Sequence, residues 1–316
     1  MIFKEKNMIK IENLVKRYGD LLALDHLNLE IDEGEIFGLL GPNGSGKSTA
    51  IGCLLSLLKY DKGNIEIFGR KMTPDNYEVK RQIGVILQNV AVFDELTVYE
   101  NIDYFCGLYV KERDKKKQYV QEAIAFVGLE NYEKMRPKKL SGGLLRRLNI
   151  ACGIAHKPRL IIMDEPTVAV DPQSRNKILE GIQELNKQGS TIIYTTHYME
   201  EAEQICSRIA IMDHGRSIAI GTKEELKKMI KTGEAITIEN IQLEQSQVSD
   251  IRAIRHVFQV EYKEDVLTVR CSEARHNLVR ILNYMQEQEI PFGQVSSQLP
   301  TLNDVFLEIT GKQLRD

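Results

Sequence analysis

The nine residues from Gly41 to Thr49, GPNGSGKST, fit the pattern G-x-x-x-x-G-K-[ST]. A strand-like run, EIFGLL, precedes them and a helix-like run, STAIGCLLSLL, follows, which is the setting of a phosphate-binding loop. In that setting Gly41, Pro42, Asn43, Gly44, Ser45, Gly46, Lys47, Ser48 and Thr49 form the nucleotide cradle. Backbone N–H groups from Asn43 to Ser48 would wrap the phosphates, Lys47 would reach the β and γ oxygens, and the Ser48 hydroxyl would ligate Mg²⁺.

Further residues sit where such a cradle could use them. LIIMDEP, Leu160 to Pro166, is an apolar strand that delivers two carboxylates at its C-terminal end, where ligand sites of open α/β sheets lie. Asp164 suits the second sphere of Mg²⁺ or a water-bridged contact, and Glu165 suits a general base for an attacking water. TIIYTTH ends at His197, again at a strand's C-terminal end. A lone histidine is as well a packing or surface residue, but from there it can bond a γ-phosphate and hold the water in line. Gln88, closing IGVILQ, can ligate Mg²⁺ or water, and Tyr18 is either an adenine-stacking ring or a core aromatic. LSGGLLRR, Leu140 to Arg147, puts a serine cap and two bare glycines at the start of a helix. Unsatisfied N–H groups there make a surface that an anion can approach closely, though nothing in the stretch names the anion.

The elements that must position these residues are legible in outline. The first forty residues alternate short strands with turns (IKIENLVKRYG, LNLEI, EIFGLLG), and the tripeptide DEG, Asp32 to Gly34, predicts a hairpin, so an antiparallel layer opens the protein. Leu160 to Met163 and Ile192 to Tyr194 lack polar alternation, as parallel strands covered on both faces do. Between about Asn89 and Pro158 strand signals disappear and the period is helical, so this stretch reads as a helical insertion in an α/β core. From about Gly233 the order becomes β-α-β-β-α-β, with a KED turn between two strands and a capped closing helix in TLNDVFLEITG. That predicts a second, small α+β domain of ferredoxin-like type.

Composition narrows the class. The 316 residues, 42% hydrophobic, suffice for a sizeable core and two domains. Forty-two basic against 45 acidic residues give a net charge of -3, no reason to expect nucleic acid or an anionic membrane surface as main partner. The lysines of KERDKKKQ are interrupted by acids and read as a solvated helix face. The five cysteines show no metal-ligand spacing and read as reduced packing residues of a cytoplasmic protein. No apolar run approaches the roughly 20 residues of a membrane span, so a membrane role would run through a partner. MIFKEKN is too short and charged for a secretory signal and is expected to be a leader without structural role, with Met8 opening the first strand.

In this order the pieces resemble the ATP-binding cassette of ABC transporters, over about Met8 to Met229. The family signature is LSGGQ. Ser141, Gly142 and Gly143 match it and Leu144 departs, losing the amide hydrogen bonds, although positions 144, 148, 152 and 155 keep an apolar stripe. The resemblance implies ATP and Mg²⁺ as ligands and a second cassette, self or homologous. In such a head-to-tail dimer each signature completes the site of the other subunit. Asp171 of VAVDP matches the D-loop aspartate, while Val168 replaces a small polar residue. NDVFLEITG is similar to the tail of bacterial drug and polysaccharide exporter ATPases. QNVAVFDELTVYENIDYFCGLY is similar to the part that docks a transmembrane permease subunit, with Gln88 as its hinge. The expectation is therefore a P-loop NTPase cassette at 8–232 with a helical subdomain at 89–158, and an accessory domain at 233–316. It implies a transport-coupled ATP hydrolase, cytoplasmic and peripheral on the inner face of the cell membrane. The competing expectation is a soluble ABC ATPase acting on ribosomes or DNA, but such types carry two cassettes or a long coiled coil, and this chain has neither.

Overall fold

The computed structural model describes residues 7–272 and 276–311. The first six residues of the expected leader, and Glu273 to Arg275 at the start of one expected helix, lie outside them. The chain falls into two compact units, one ending at Thr222 and the other beginning at Lys223. That division lies upstream of the 232/233 boundary drawn from sequence character, because Lys231 and Thr232 donate their backbone N–H groups to Glu308 near the end of the second unit.

In the first unit, β1 (Asn7–Tyr18), β2 (Leu21–Asp32), β4 (Lys62–Ile67) and β5 (Arg70–Lys71) form an antiparallel sheet in the order β2-β1-β4-β5. A six-stranded sheet has the order β10-β9-β3-β8-β7-β6, with β3 (Ile36–Leu40), β6 (Ile83–Ile86), β7 (Leu160–Asp164), β8 (Thr191–Thr196), β9 (Arg208–Asp213) and β10 (Arg216–Gly221). Its neighbours pair in parallel except β9 with β10, which are antiparallel.

The hairpin expected at DEG is not there. The first hairpin closes instead at Gly19 and Asp20, with Tyr18 opposite Leu21, and Glu33–Gly34 carries the chain from one sheet to the other. The reason is burial. All five residues of β3 are buried, so it needs cover on both faces and takes an inner place in the parallel sheet, whereas β2 alternates and can lie in a one-sided layer. Gly34 is held at the switch by donating to Thr191 Oγ1 at 2.7 Å. One apolar cluster, with Leu14, Leu24, Phe37, Ile65, Ile162 and Ile193, joins the two sheets through α1 (Lys47–Leu54).

After α2 (Tyr77–Lys80) and β6, no described residue up to β7 is in a strand. The stretch carries α3 (Val98–Gly107), α4 (Arg113–Val127) and α5 (Gly142–Ile154). Thr97 caps α3 through a capping box with Glu100, and Gly128 ends α4 in the left-handed conformation. α6 (Pro172–Lys187) and α7 (Met199–Ile205) follow β7 and β8.

The second unit opens with α8 (Lys223–Lys227). It then runs through β11 (Thr232–Glu239), α9 (Gln245–Ala253), β12 (Val257–Lys263), β13 (Val266–Ser272), α10 (Asn277–Glu287), β14 (Val295–Gln298) and α11 (Leu302–Thr310). Its antiparallel sheet, in the order β12-β13-β11-β14, is the ferredoxin-like arrangement, and the KED turn joins β12 to β13 as its register requires. Thr301 and Asp304 form the capping box of α11, which ends at Gly311.

Candidate functional site

The phosphate-loop sequence folds as a tight turn between β3 and α1 because its glycines sit where side chains cannot. A Cβ on Gly41 would lie 2.4 Å from the Met212 carbonyl oxygen. Gly46 caps α1 at φ 104°, and a Cβ there would lie 2.8 Å from the Ala23 carbonyl. The turn between β9 and β10 braces the loop from one side: Gly215 N donates to Ser45 O at 2.9 Å, and Gly215 O accepts from Asp25 N at 3.0 Å. Lys47 is only 4% exposed, and its ammonium donates to the carbonyls of Gly41 at 2.7 Å and Pro42 at 3.2 Å. Burial pushes its pKa down, against the charges of Glu165 and Asp164.

The two carboxylates end β7, whose five residues are all buried. Thr195 on neighbouring β8 orients both: its hydroxyl donates to Asp164 Oδ1 at 2.6 Å and accepts from Glu165 N at 2.9 Å. Glu165 is held in the left-handed region, φ 48°, a strained state for a residue with a side chain that costs on the order of 1–3 kcal/mol. Its carboxylate, 6% exposed, meets three partners. Oε1 lies 3.4 Å from Lys47 Nζ and 3.3 Å from His197 Nδ1, and Oε2 accepts from Gln88 Nε2 at 3.2 Å. The His197 approach is close but not aligned as a hydrogen bond, so Nδ1 is otherwise unpartnered. Gln88, Lys47, Glu165 and His197 thus converge from four segments. A base, a cation and two polar side chains in one place can bind a polyphosphate and hold a water beside a carboxylate.

A cleft of about 480 Å³ opens beside Lys47, Gln88 and Glu165. Asn43, Gly44, Gly46, Lys47, Ser48 and Thr49 form its floor, and Gln88, Glu165 and Tyr18 border it. Tyr18 is 45% exposed at the end of β1, with Lys16 Nζ 4.8 Å from its ring centroid; it is a cleft residue, not a core aromatic. Gly41, Pro42, Ser45, Asp164 and His197 are not among the lining residues. Leu21, Leu22, Ala23, His214 and Gly215 also line the cleft and were not singled out from the sequence. The place of His214–Gly215 beside Ser45 follows from the pairing of β3 with β9, which no local signal carries.

Ser141, Gly142 and Gly143 do not line this cleft. Ser141 caps α5, accepting from Leu144 N at 3.3 Å. Asp171 caps α6, accepting from Ser174 N at 2.9 Å, a bond that holds its carboxyl below the ordinary value. The two helix starts abut, and this separates the roles of the two glycines. A Cβ on Gly143 would sit 2.7 Å from Ser174 Oγ and 3.3 Å from Asp171 Oδ2, so that glycine is demanded by packing within the chain. A Cβ on Gly142 would meet only the Ala169 carbonyl, at 4.0 Å, so this position keeps the helix start bare. Gly143→Ala is accordingly expected to cost about 1–3 kcal/mol of stability, as overpacking does, with part of the loss recovered in Gly143→Ala/Ser174→Ala. Thermal melts of the two variants check this, and equal melting of wild type and Gly143→Ala would show that Ser174 moves aside freely.

The sequence also did not single out Arg146 and Asn149. Arg146, 6% exposed, donates to the carbonyls of Leu87 at 3.2 Å and Gln88 at 2.8 Å, and Asn149 Oδ1 accepts from Ala91 N at 3.1 Å. The helix that begins at the signature therefore grips the segment carrying Gln88.

Comparisons with known proteins agree with this geometry. The family described as "ABC transporter" matches residues 24–168, and "ATP-binding protein DrrA1-3-like, C-terminal domain" matches residues 221–310. The linearmycin resistance ATP-binding protein LnrL of Bacillus subtilis is 39% identical, covering 98% of this chain and 100% of the relative. The daunorubicin/doxorubicin resistance ATP-binding protein DrrA of Streptomyces peucetius is 34% identical, over 98% of this chain and 94% of its own. Among solved structures, the dimeric post-hydrolysis state of the ATP-binding cassette MJ0796 bound to ADP and Pi is similar with a TM-score of 0.63 and 29% identity. It covers 68% of this chain and 98% of that one. The chain belongs to the ATP-hydrolysing, ATP-binding proteins of ABC transporters, in the drug-exporter-like branch that carries a DrrA-like C-terminal domain.

Proposed function

We propose that the protein is the ATPase subunit of an exporter, binding ATP between two cassettes arranged head to tail and passing the resulting motion to a separate membrane permease. The observation that carries this is the separation within one chain: Lys47, Gln88 and Glu165 line one cleft, with His197 against Glu165, while Ser141–Gly143 stand outside it. A second subunit's signature is what would close that cleft over the γ-phosphate and exclude water, which strengthens every charged contact inside.

In this reading Lys47 gives up the carbonyls of its own loop for the phosphates, and Glu165 takes a proton from the attacking water. His197 and Gln88 hold that water and the γ-phosphate in line. Tyr18 supplies a ring for adenine, and the backbone N–H groups of the loop bind the phosphates. Ser48, Gln88 and Asp164 offer the hard oxygen donors that suit Mg²⁺, which takes few protein ligands and shares the phosphates. They are the residues that would hold it, and bound there it would neutralise charge on the phosphate oxygens. Asp171, at the start of α6 beside Gly143, carries the state of one site toward the other.

The named relatives are resistance ATP-binding proteins, which supports export as the direction of transport and a drug-like cargo. No helix among the described residues is long and apolar enough to cross a membrane, so the route lies in a partner. The chain would work at the inner face of the cell membrane. Affinity purification of the full-length chain from detergent-solubilised membranes tests this. A polytopic membrane protein recovered in fixed ratio, and raising the ATPase rate when reconstituted with it, is the expected result. Ribosomal or DNA-bound material in its place would contradict it.

A further inference from the structure

His197 and the loop from Glu165 to Asp171 belong to neighbouring strand ends, which Thr195 ties together at Glu165 N. A buried carboxylate ties them again, beyond Glu165 and next to His197. Glu201, on α7, is 3% exposed, and its Oε2 accepts three hydroxyl hydrogen bonds: from Tyr194 at 2.8 Å, Thr196 at 2.9 Å and Thr167 at 2.9 Å. Its Oε1 lies 3.4 Å from Arg175 Nε on α6, and neither of those two atoms has an aligned hydrogen bond elsewhere.

We propose that Glu201 is a positioning residue for ATP hydrolysis, holding the His197 segment and the Glu165-to-Asp171 loop in one register. Each arm of the hub reaches a functional segment. Thr196 immediately precedes His197, and its hydroxyl, while donating to Glu201, accepts from Tyr198 N at 2.9 Å, so the backbone on both sides of the histidine is pinned. Thr167 lies two residues after Glu165, in the loop that ends at Asp171. Arg175, on the helix that Asp171 caps, stacks its guanidinium 4.9 Å over the Tyr198 ring, which itself lies 4.2 Å from the His197 ring.

The physical case is the cost of such a site. Burying a carboxylate is expensive unless donors surround it, and apolar residues of similar volume would give the fold as much or more stability. What the hub adds is geometry: one oxygen shared by three hydroxyls accepts them all only when β8, the Glu165 loop and α7 stand in one arrangement. A reacting centre is sensitive to displacements of about 1 Å, which can cost on the order of a hundredfold in rate.

This inference rests on the roles given above to Glu165 and His197. Its test is steady-state ATP hydrolysis and thermal melting of Thr196→Val, Thr196→Ser, Thr167→Val, Glu201→Gln and Glu165→Gln, side by side in the full-length protein. Thr196→Val keeps the shape and removes the donor. It is expected to lower kcat roughly tenfold to a hundredfold with KM for ATP within about twofold of wild type, and Thr196→Ser is expected to restore most of the turnover. Thr196→Val in the Glu201→Gln background should lower kcat no further than either change alone, as members of one network behave. Wild-type kcat in both Thr196→Val and Glu201→Gln overturns the proposal. So does a loss in Thr196→Val that Thr196→Ser fails to relieve, since packing alone explains that. Glu165→Gln separates the two claims: turnover in that variant removes Glu165 as base, whereas an inactive Glu165→Gln beside fully active hub variants removes only the hub.

Discussion

Glu165→Gln is expected to lower ATP turnover by about 10² to 10⁴-fold while leaving nucleotide binding intact, and to accumulate an ATP-bound dimer. The magnitude is that of a positioned general base. The geometry explains why binding survives. The amide keeps the volume of the carboxylate and can still accept from Gln88, and the variant loses only the negative charge facing Lys47 at 3.4 Å. Without that charge the buried ammonium turns more readily to the phosphates. A variant that hydrolyses ATP at the wild-type rate, measured as phosphate release at saturating Mg-ATP, would remove Glu165 from the role.

The second large effect is expected at Gly142. An aspartate there enters the first turn of α5, where a helix N-terminus tolerates negative charge, and the space beside it is open to 4.0 Å, so the monomer should fold and bind ATP normally. Toward a second subunit's γ-phosphate the same carboxylate is a like charge set beside the N–H donors, and it drives the phosphate off them. Moving an open–closed equilibrium from 1:99 to 99:1 takes about 5.5 kcal/mol of differential binding. Losing hydrogen bonds to a charged group, about 1.5–3 kcal/mol in each of two sites, removes most of that. Gly142→Asp should therefore retain ATP binding in the monomer and fail to dimerise with it. A normal ATP-dependent dimer in this variant would mean that the signature does not face a partner's nucleotide. Ser141→Ala acts in the same direction but also removes the cap on Leu144 N, which makes it the less clean variant.

What the sequence made legible is what lies within one segment. The phosphate loop, the carboxylate pair at the end of an apolar strand and the capped start at Ser141 each declare themselves in fewer than about ten residues, because backbone chemistry at a turn or helix end is local. The ferredoxin-like order of the second unit was readable for the same reason, from alternation and turns. What was hidden depends on sheet order. Whether β3 pairs with β2 or lies between β8 and β9 is decided by burial on both faces, and the local turn signal at DEG pointed the wrong way. That order in turn brings Gly215 onto Ser45 and Thr195 onto Asp164. No local signal marks Arg146 or Glu201, and only the packed chain shows both buried, one gripping the Gln88 segment and the other collecting three hydroxyls. The departures Leu144 and Val168 are both half-buried. Gly143 keeps its place against Ser174 with Leu144 in line, so the signature helix retains its seat without the usual glutamine.

In the proposed dimer ATP is held between two cassettes, each signature serving the other's site. The most direct measurement is the mass in solution, by light scattering during gel filtration, of Glu165→Gln and of Glu165→Gln/Gly142→Asp with and without Mg-ATP. The single variant is expected to run at its monomer mass of 36.1 kDa without nucleotide and at twice that with it, and the double variant to stay monomeric in both. A single variant that remains monomeric with Mg-ATP, or a double variant that dimerises equally well, would contradict that arrangement.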